Sequence, residues 1–172
     1  TLAAWSSTEI RQDRKTPYTL LASIWWLTGK KTPSPFRDDY VDDLCKALEN
    51  SAWAKNDPYC LGVFIGNEFE WPDRFSQLVF ELPDNDTTKQ WVQSQLRQKY
   101  STLDQLNQAW GASFSSWNQV LQHGDSKHHA SAAKDIDPLY FEFAKEFFRK
   151  SKEAIEKSLP GTLFLGCRCH RG

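Results

Sequence analysis

What most constrains this chain is an alternation: apolar runs of strand length, each separated from the next by a connection far too long for a hairpin. The runs are Leu2–Trp5, Pro17–Leu27, Cys60–Ile65 and Thr162–Cys169. Residues apolar at successive positions leave no wet face, so the runs fit strands covered on both sides. Between the second and third, Val41, Leu44, Cys45, Leu48 and Ala52 recur at three- and four-residue steps. This predicts a helix over 38–53, with Asp38 and Asp39 at its positive N-terminal end. The next connection predicts a helix over 88–100, with Trp91, Val92, Leu96 and Tyr100 on one side. Thr102-Leu103-Asp104-Gln105 is a capping box opening a second short helix, which Gly111 closes after Trp110. The polar stretch 122–137 reads as a loop, and 138–159 as the clearest helix, its stripe running through Tyr140, Phe143, Ala144, Phe147, Phe148, Ser151 and Ile155. Pro160-Gly161 stops it.

Apolar strands joined by helical crossovers are parallel strands. Two α/β architectures meet that description, a doubly wound open sheet and a (β/α)8 barrel. The open nucleotide-binding sheet carries a glycine-rich turn after its first strand, and neither that turn nor a phosphate loop occurs here. The barrel is preferred. A complete one needs about 250 residues, so a chain of 172 with four such runs is expected to be a partial (β/α)8 TIM barrel.

Composition narrows the function classes. The chain has 21 basic and 22 acidic residues, a net charge of -1, without the basic excess of a general nucleic-acid binder. No apolar run is long enough to span a bilayer. The opening Thr1-Leu2-Ala3-Ala4-Trp5 lacks the basic and apolar regions of a signal peptide, and the absence of methionine predicts a processed or internal piece. Cys45, Cys60, Cys167 and Cys169 lack zinc-site spacing and read as small buried thiols. His123, His128 and His129 lie with Asp125 in the polar stretch, where solvent exposure is preferred over metal binding. No metal or cofactor is expected. Eight tryptophans first suggest a bulky core; the sharper reading is that indole faces stack on sugar rings.

In a barrel of this kind functional side chains stand at the C-terminal ends of strands. Four ends are legible: Trp5-Ser6-Ser7, Trp25-Trp26, Asn67-Glu68 and Arg168-Cys169-His170. Glu68 follows a wholly apolar strand, and desolvation at such a rim raises a carboxyl pKa towards what a general acid needs at neutral pH. Asn67 can donate to a sugar 2-OH, a bond that strengthens as the oxocarbenium-like state forms. The plainer reading is that Asn67-Glu68 only caps the following loop. Glu70, two residues on, reads as a supporting residue. Trp71, Trp26 and Trp5 are candidate stacking surfaces, His170 a substrate contact, and Arg168 a charged partner for a carboxylate or the substrate.

These residues resemble a family. Asp57-Pro58-Tyr59-Cys60-Leu61-Gly62-Val63-Phe64-Ile65-Gly66-Asn67-Glu68 resembles the acid/base strand of the β-agarases of glycoside hydrolase family fifty. Lys99-Tyr100-Ser101-Thr102-Leu103-Asp104-Gln105-Leu106-Asn107-Gln108-Ala109-Trp110-Gly111 is similar to a stretch those agarases share with the family forty-two β-galactosidases. Leu163–Arg168 resembles the agarase fifth strand and Thr1–Ser7 the end of the second. Ser101 stands where glycine is more usual, and Gly66 where aspartate often precedes Asn-Glu. The resemblance implies strands two to five in a single incomplete catalytic domain over 1–172, with a helical insertion at about 72–135 after the fourth strand. It implies a retaining hydrolase of β-linked galactose polysaccharide, agarose or agaro-oligosaccharides above all, with Glu68 as general acid/base and the nucleophile on a later strand outside this chain. The piece alone is then expected to be inactive. A secreted or periplasmic location follows from the same resemblance, and self-association is expected through open sheet edges. A family forty-two β-galactosidase and a non-catalytic carbohydrate-binding barrel are the rival readings.

Overall fold

The computed structural model describes residues 16–22, 33–66, 71–125 and 127–167. They divide between two compact units, one drawn from 1–33, 38–71 and 147–172, the other from 34–37 and 72–146.

The first unit contains a parallel sheet of β1 (Tyr18–Ala22), β2 (Cys60–Ile65) and β3 (Leu163–Phe164), in the spatial order β1-β2-β3. Among the described strands, neighbours in space are neighbours in sequence, without the reversal that marks the crevice of a doubly wound sheet. Helix α1 (Tyr40–Glu49) forms part of the crossover from β1 to β2. Its Tyr40, Leu44 and Leu48 share a core with Tyr18, Leu20, Val63 and Ile65 of the strands and with Phe147, Ala154 and Ile155. The helix expected over 38–53 stops at Glu49, and Ala52–Ala54 forms a separate 3-10 turn. Asn50 and Ser51 lie at the break, residue types whose side chains favour helix ends over interiors.

Strand β2 has the bounds its apolar run predicts, whereas β1 is described only to Ala22 and the run Leu2–Trp5 lies outside the described residues. Tyr18 pairs with Cys60 but Thr19 with Gly62, so Leu61 is an extra residue in β2. Such a bulge turns its side chain out of the packed pattern, and Leu61 is 41% exposed. Leu163 in β3 is 63% exposed. The expectation of strands buried on both faces is therefore corrected at these two positions. The regular part of β3 is also short, although Leu165 N–H still donates to the Val63 carbonyl at 2.9 Å.

The second unit is helical: α2 (Phe75–Glu81), α3 (Thr87–Tyr100), α4 (Leu103–Trp110) and α5 (His129–Ile136). Helix α6 (Tyr140–Ser158) begins in this unit and continues into the first at Phe147. Phe75, Val79, Phe80, Val92, Leu96, Leu106, Ile136 and Phe143 are buried. The Asp86 side chain caps α3 by accepting from Thr88 and Lys89 N–H, and Thr102 caps α4 by accepting from Gln105 N–H. Gly111 ends α4 in the left-handed region at φ 64°, which costs a glycine little. Residues 122–137 are not the loop their polarity suggested, because α5 occupies 129–136. Alanines at 130, 132 and 133 favour helix, and burial of Ala132, Asp135 and Ile136 fixes its inner face.

Candidate active site

The C-terminal ends of the three strands are joined through their backbones. Gly66 N–H donates to the Ala22 carbonyl and Ile65 N–H to the Gly166 carbonyl, both at 2.9 Å. Gly66 and Gly166 have φ of 71° and 81°, left-handed values that turn the chain as it leaves the sheet. Gly62 is fixed by close approach: a Cβ there would lie 2.7 Å from the Leu163 carbonyl oxygen and 2.7 Å from Leu165 Cγ. In sequence, Ala22 precedes the segment containing Trp26, Gly66 precedes Asn67-Glu68, and Gly166 precedes Arg168 and His170. Asn67, Glu68, Glu70, Trp5, Trp26, Arg168 and His170 themselves lie outside the described residues.

Trp71 is the sequence-derived site residue within the described set. It is half-buried, stacks on Phe148 at 5.9 Å and 24°, and meets Phe147 edge-on at 5.4 Å. The other described tryptophans also have partners within the chain. Trp53 stacks on Tyr18, Trp91 on Phe36, Trp117 lies under the Arg97 guanidinium at 4.9 Å, and Trp110 Nε1 donates to Asp135. Contacts within the chain thus engage all four, and Trp110 is buried in the core.

The strongest electrostatic feature of the helical unit went unread in the sequence. The buried Asp135 carboxylate accepts from Lys99 Nζ at 2.6 Å on one oxygen, and from Tyr100 OH at 2.6 Å and Trp110 Nε1 at 2.7 Å on the other. Burial pushes this carboxyl up, but the three donors outweigh it and hold the pKa below its ordinary value. The Tyr100 hydroxyl is pushed up to about 12 by burial and by Asp135. Asn107 adds a two-way clamp on the Phe114 backbone, with both bonds at 2.9 Å. The Lys-Tyr…Asn…Trp-Gly pattern therefore organises the helical unit through Lys99, Tyr100, Asn107, Trp110 and Gly111.

Two of the three histidines differ from the solvent exposure expected of them. His128 is half-buried and its Nδ1 lies 2.6 Å from Asp125 Oδ2. His129 is half-buried against Phe80 at 4.3 Å, and its buried Nε2 has no partner among the described residues. His123 is exposed. Cys45, Cys60 and Cys167 form no disulfide among the described residues and are half-buried where buried thiols were expected.

The glycoside hydrolase family forty-two model, described as beta-galactosidase, matches residues 32–166. This chain belongs to that family. Among other relatives of the family forty-two chain are two proteins of Vibrio sp. (strain JT0107). Beta-agarase A is 27% identical over a region covering 98% of this chain and 20% of its own length. Beta-agarase B is 27% identical, with 77% of this chain and 15% of its own length covered. The chain thus spans about a fifth or less of the curated relatives it matches. A solved structure described as that of an exo-beta-agarase superposes with a TM-score of 0.79 at 23% identity, covering 98% of this chain and 26% of that one. The fold of this family forty-two chain is accordingly a partial glycoside hydrolase barrel of α/β class.

Proposed function

We propose that the enzyme containing this chain is a retaining glycoside hydrolase of β-linked galactose polysaccharide, most of all agarose or agaro-oligosaccharides, with Glu68 as general acid/base. The reading is supported chiefly by where β2 ends in this family member: Gly66, two residues before Glu68 in sequence, is bonded to the tip of β1, and its neighbour Ile65 to Gly166. In a glycosidase barrel such tips form the substrate mouth. As the glycosidic C–O bond breaks, Glu68 gives its proton to the departing oxygen, and a second carboxylate about 5 Å away attacks C1 to form a glycosyl-enzyme. The ionised Glu68 then takes a proton from water as that water attacks C1 and releases the carboxylate. We assign the nucleophile to a later strand of the whole enzyme. Asn67 bonds the 2-OH; Trp71, Trp26 and Trp5 present ring surface to the sugar, and His170 and Arg168 present polar contacts. Residues 72–135 serve as a helical insertion after the fourth barrel strand. The agarose preference draws on the relatives named beta-agarase; the family description favours a β-galactosidase as the second reading. A polymeric substrate fits a secreted or periplasmic enzyme, and open sheet edges fit self-association.

The test is Glu68→Gln in the full-length enzyme, assayed on neoagaro-oligosaccharides and lactose. Turnover should fall by about 100-fold or more with sugar affinity retained. Unchanged turnover overturns the role of Glu68, and a wild-type enzyme that prefers lactose selects the second reading.

A further inference from the structure

The helical unit contains a cavity of about 260 Å³ beside the first half of α3, with Lys89, Asp84, Gln90 and Asn118 among its walls. Lys89 is its most informative residue. The side chain is only 5% exposed, yet among the described residues its Nζ bonds one acceptor, Asp84 Oδ1 at 3.1 Å. An ammonium carries three donors, and buried polar groups normally find partners. Two further donors of this cavity-lining Lys89 have no acceptor among the described residues. Asp84 Oδ1 also accepts from His123 N–H at 2.9 Å, while Asp84 Oδ2 has no partner among the described residues. The side-chain amides of Gln90 and Asn118 are likewise uncommitted within the described residues. Gln93, also in the wall, donates its amide to the Trp117 carbonyl. Buried Val120 and Leu121 supply an apolar wall.

The chemistry of this set selects its ligand. The charges of Asp84 and Lys89 cancel, so the walls offer donors and acceptors together with no net charge. A free carboxylate oxygen repels an anion, and a nearly buried ammonium disfavours a wholly apolar guest. Hydroxyl groups both donate and accept, and a sugar ring also has a C–H face suited to valine and leucine. The volume lies below the roughly 300–1,000 Å³ of drug-sized sites, as suits a single ring. We infer that this cavity is a sugar-binding subsite of the helical unit, receiving one galactose residue of the polysaccharide. The choice of galactose rests on the proposed function; the choice of a neutral polyhydroxylated ring rests on the cavity.

The experiment uses the full-length enzyme carrying Glu68→Gln, with neoagarotetraose and cellotetraose as probes. Hydrogen exchange should show neoagarotetraose protecting peptides spanning 84–93 and 117–123. Calorimetry should show Gln90→Ala with Asn118→Ala weakening the binding that gives this protection by about tenfold, the loss of two modest hydrogen bonds. Lys89→Met should weaken it further; should that variant fail to fold, the double variant at exposed positions decides. Absence of protection, or unchanged affinity in the double variant, overturns the subsite. Protection by cellotetraose alone overturns its galactose assignment. Hydrolysis of the probe in this background counts separately against the role of Glu68.

Discussion

Asp135 is where one residue carries most for the helical unit. Asp135→Asn places an amide NH2 against at least one of three donors, two of them on the largely covered Tyr100 and Trp110. The expected cost is about 2–4 kcal/mol, after discounting the half-exposed Lys99, and denaturant unfolding measures it. The pH dependence has a definite sign. Because the folded-state pKa is lowered, the stabilisation is complete above the unfolded value of about 3.9 and is lost as pH falls through the folded value. Acid titration of stability should therefore be shallower below pH of about 4 in Asp135→Asn than in the wild type. At this scale the sequence was half legible. Lys99, Tyr100 and Trp110 were visible as a motif, but their acceptor lies 25 to 36 residues away, in a stretch polar enough to pass for a loop. Glu68 and Asn67 follow an apolar run in sequence, the pattern of a barrel strand end, but both lie outside the described residues.

Elements were most legible where one local interaction sets a boundary. Thr102 and Gly111 bound α4 as the sequence implies, because a hydroxyl aimed at Gln105 N–H and a left-handed glycine act within a few residues. Asp86 caps α3 through bonds of 2.7 and 3.4 Å, so Asp86→Ala should cost about 1 kcal/mol, read from the thermal midpoint. Helix α2 escaped notice because seven residues between Pro72 and Pro83 give too few turns for periodicity to register. The bulge at Leu61 and the early end of regular β3 were invisible for another reason: register depends on the partner strand. The β2–β3 pairing has its own test. Gly62→Ala drives a methyl group against the Leu163 carbonyl oxygen, which is backbone and cannot swing aside. It should destabilise the chain by about 1–3 kcal/mol, and hydrogen exchange at Leu165 N–H should rise as its bond to Val63 weakens.

Across the whole molecule, the alternation of apolar runs and long crossovers implies parallel strands, and β1, β2 and β3 are parallel and sequential. That topology, the family match over residues 32–166 and the exo-beta-agarase fold agree on a partial glycosidase barrel. The division into two compact units was harder to read, since a hydrophobic stripe announces a helix but not the neighbours it packs against. The functional account turns on whether residue 68 moves a proton at a sugar oxygen. Glu68→Ala in the full-length enzyme, assayed on a galactoside with an activated leaving group in the presence of azide, examines this most directly. Such a leaving group departs without an acid, and azide attacks the glycosyl-enzyme without a base. The account predicts turnover restored by azide, with galactosyl azide of retained configuration as the product. Wild-type hydrolysis without azide, or an azide product of inverted configuration, would contradict it.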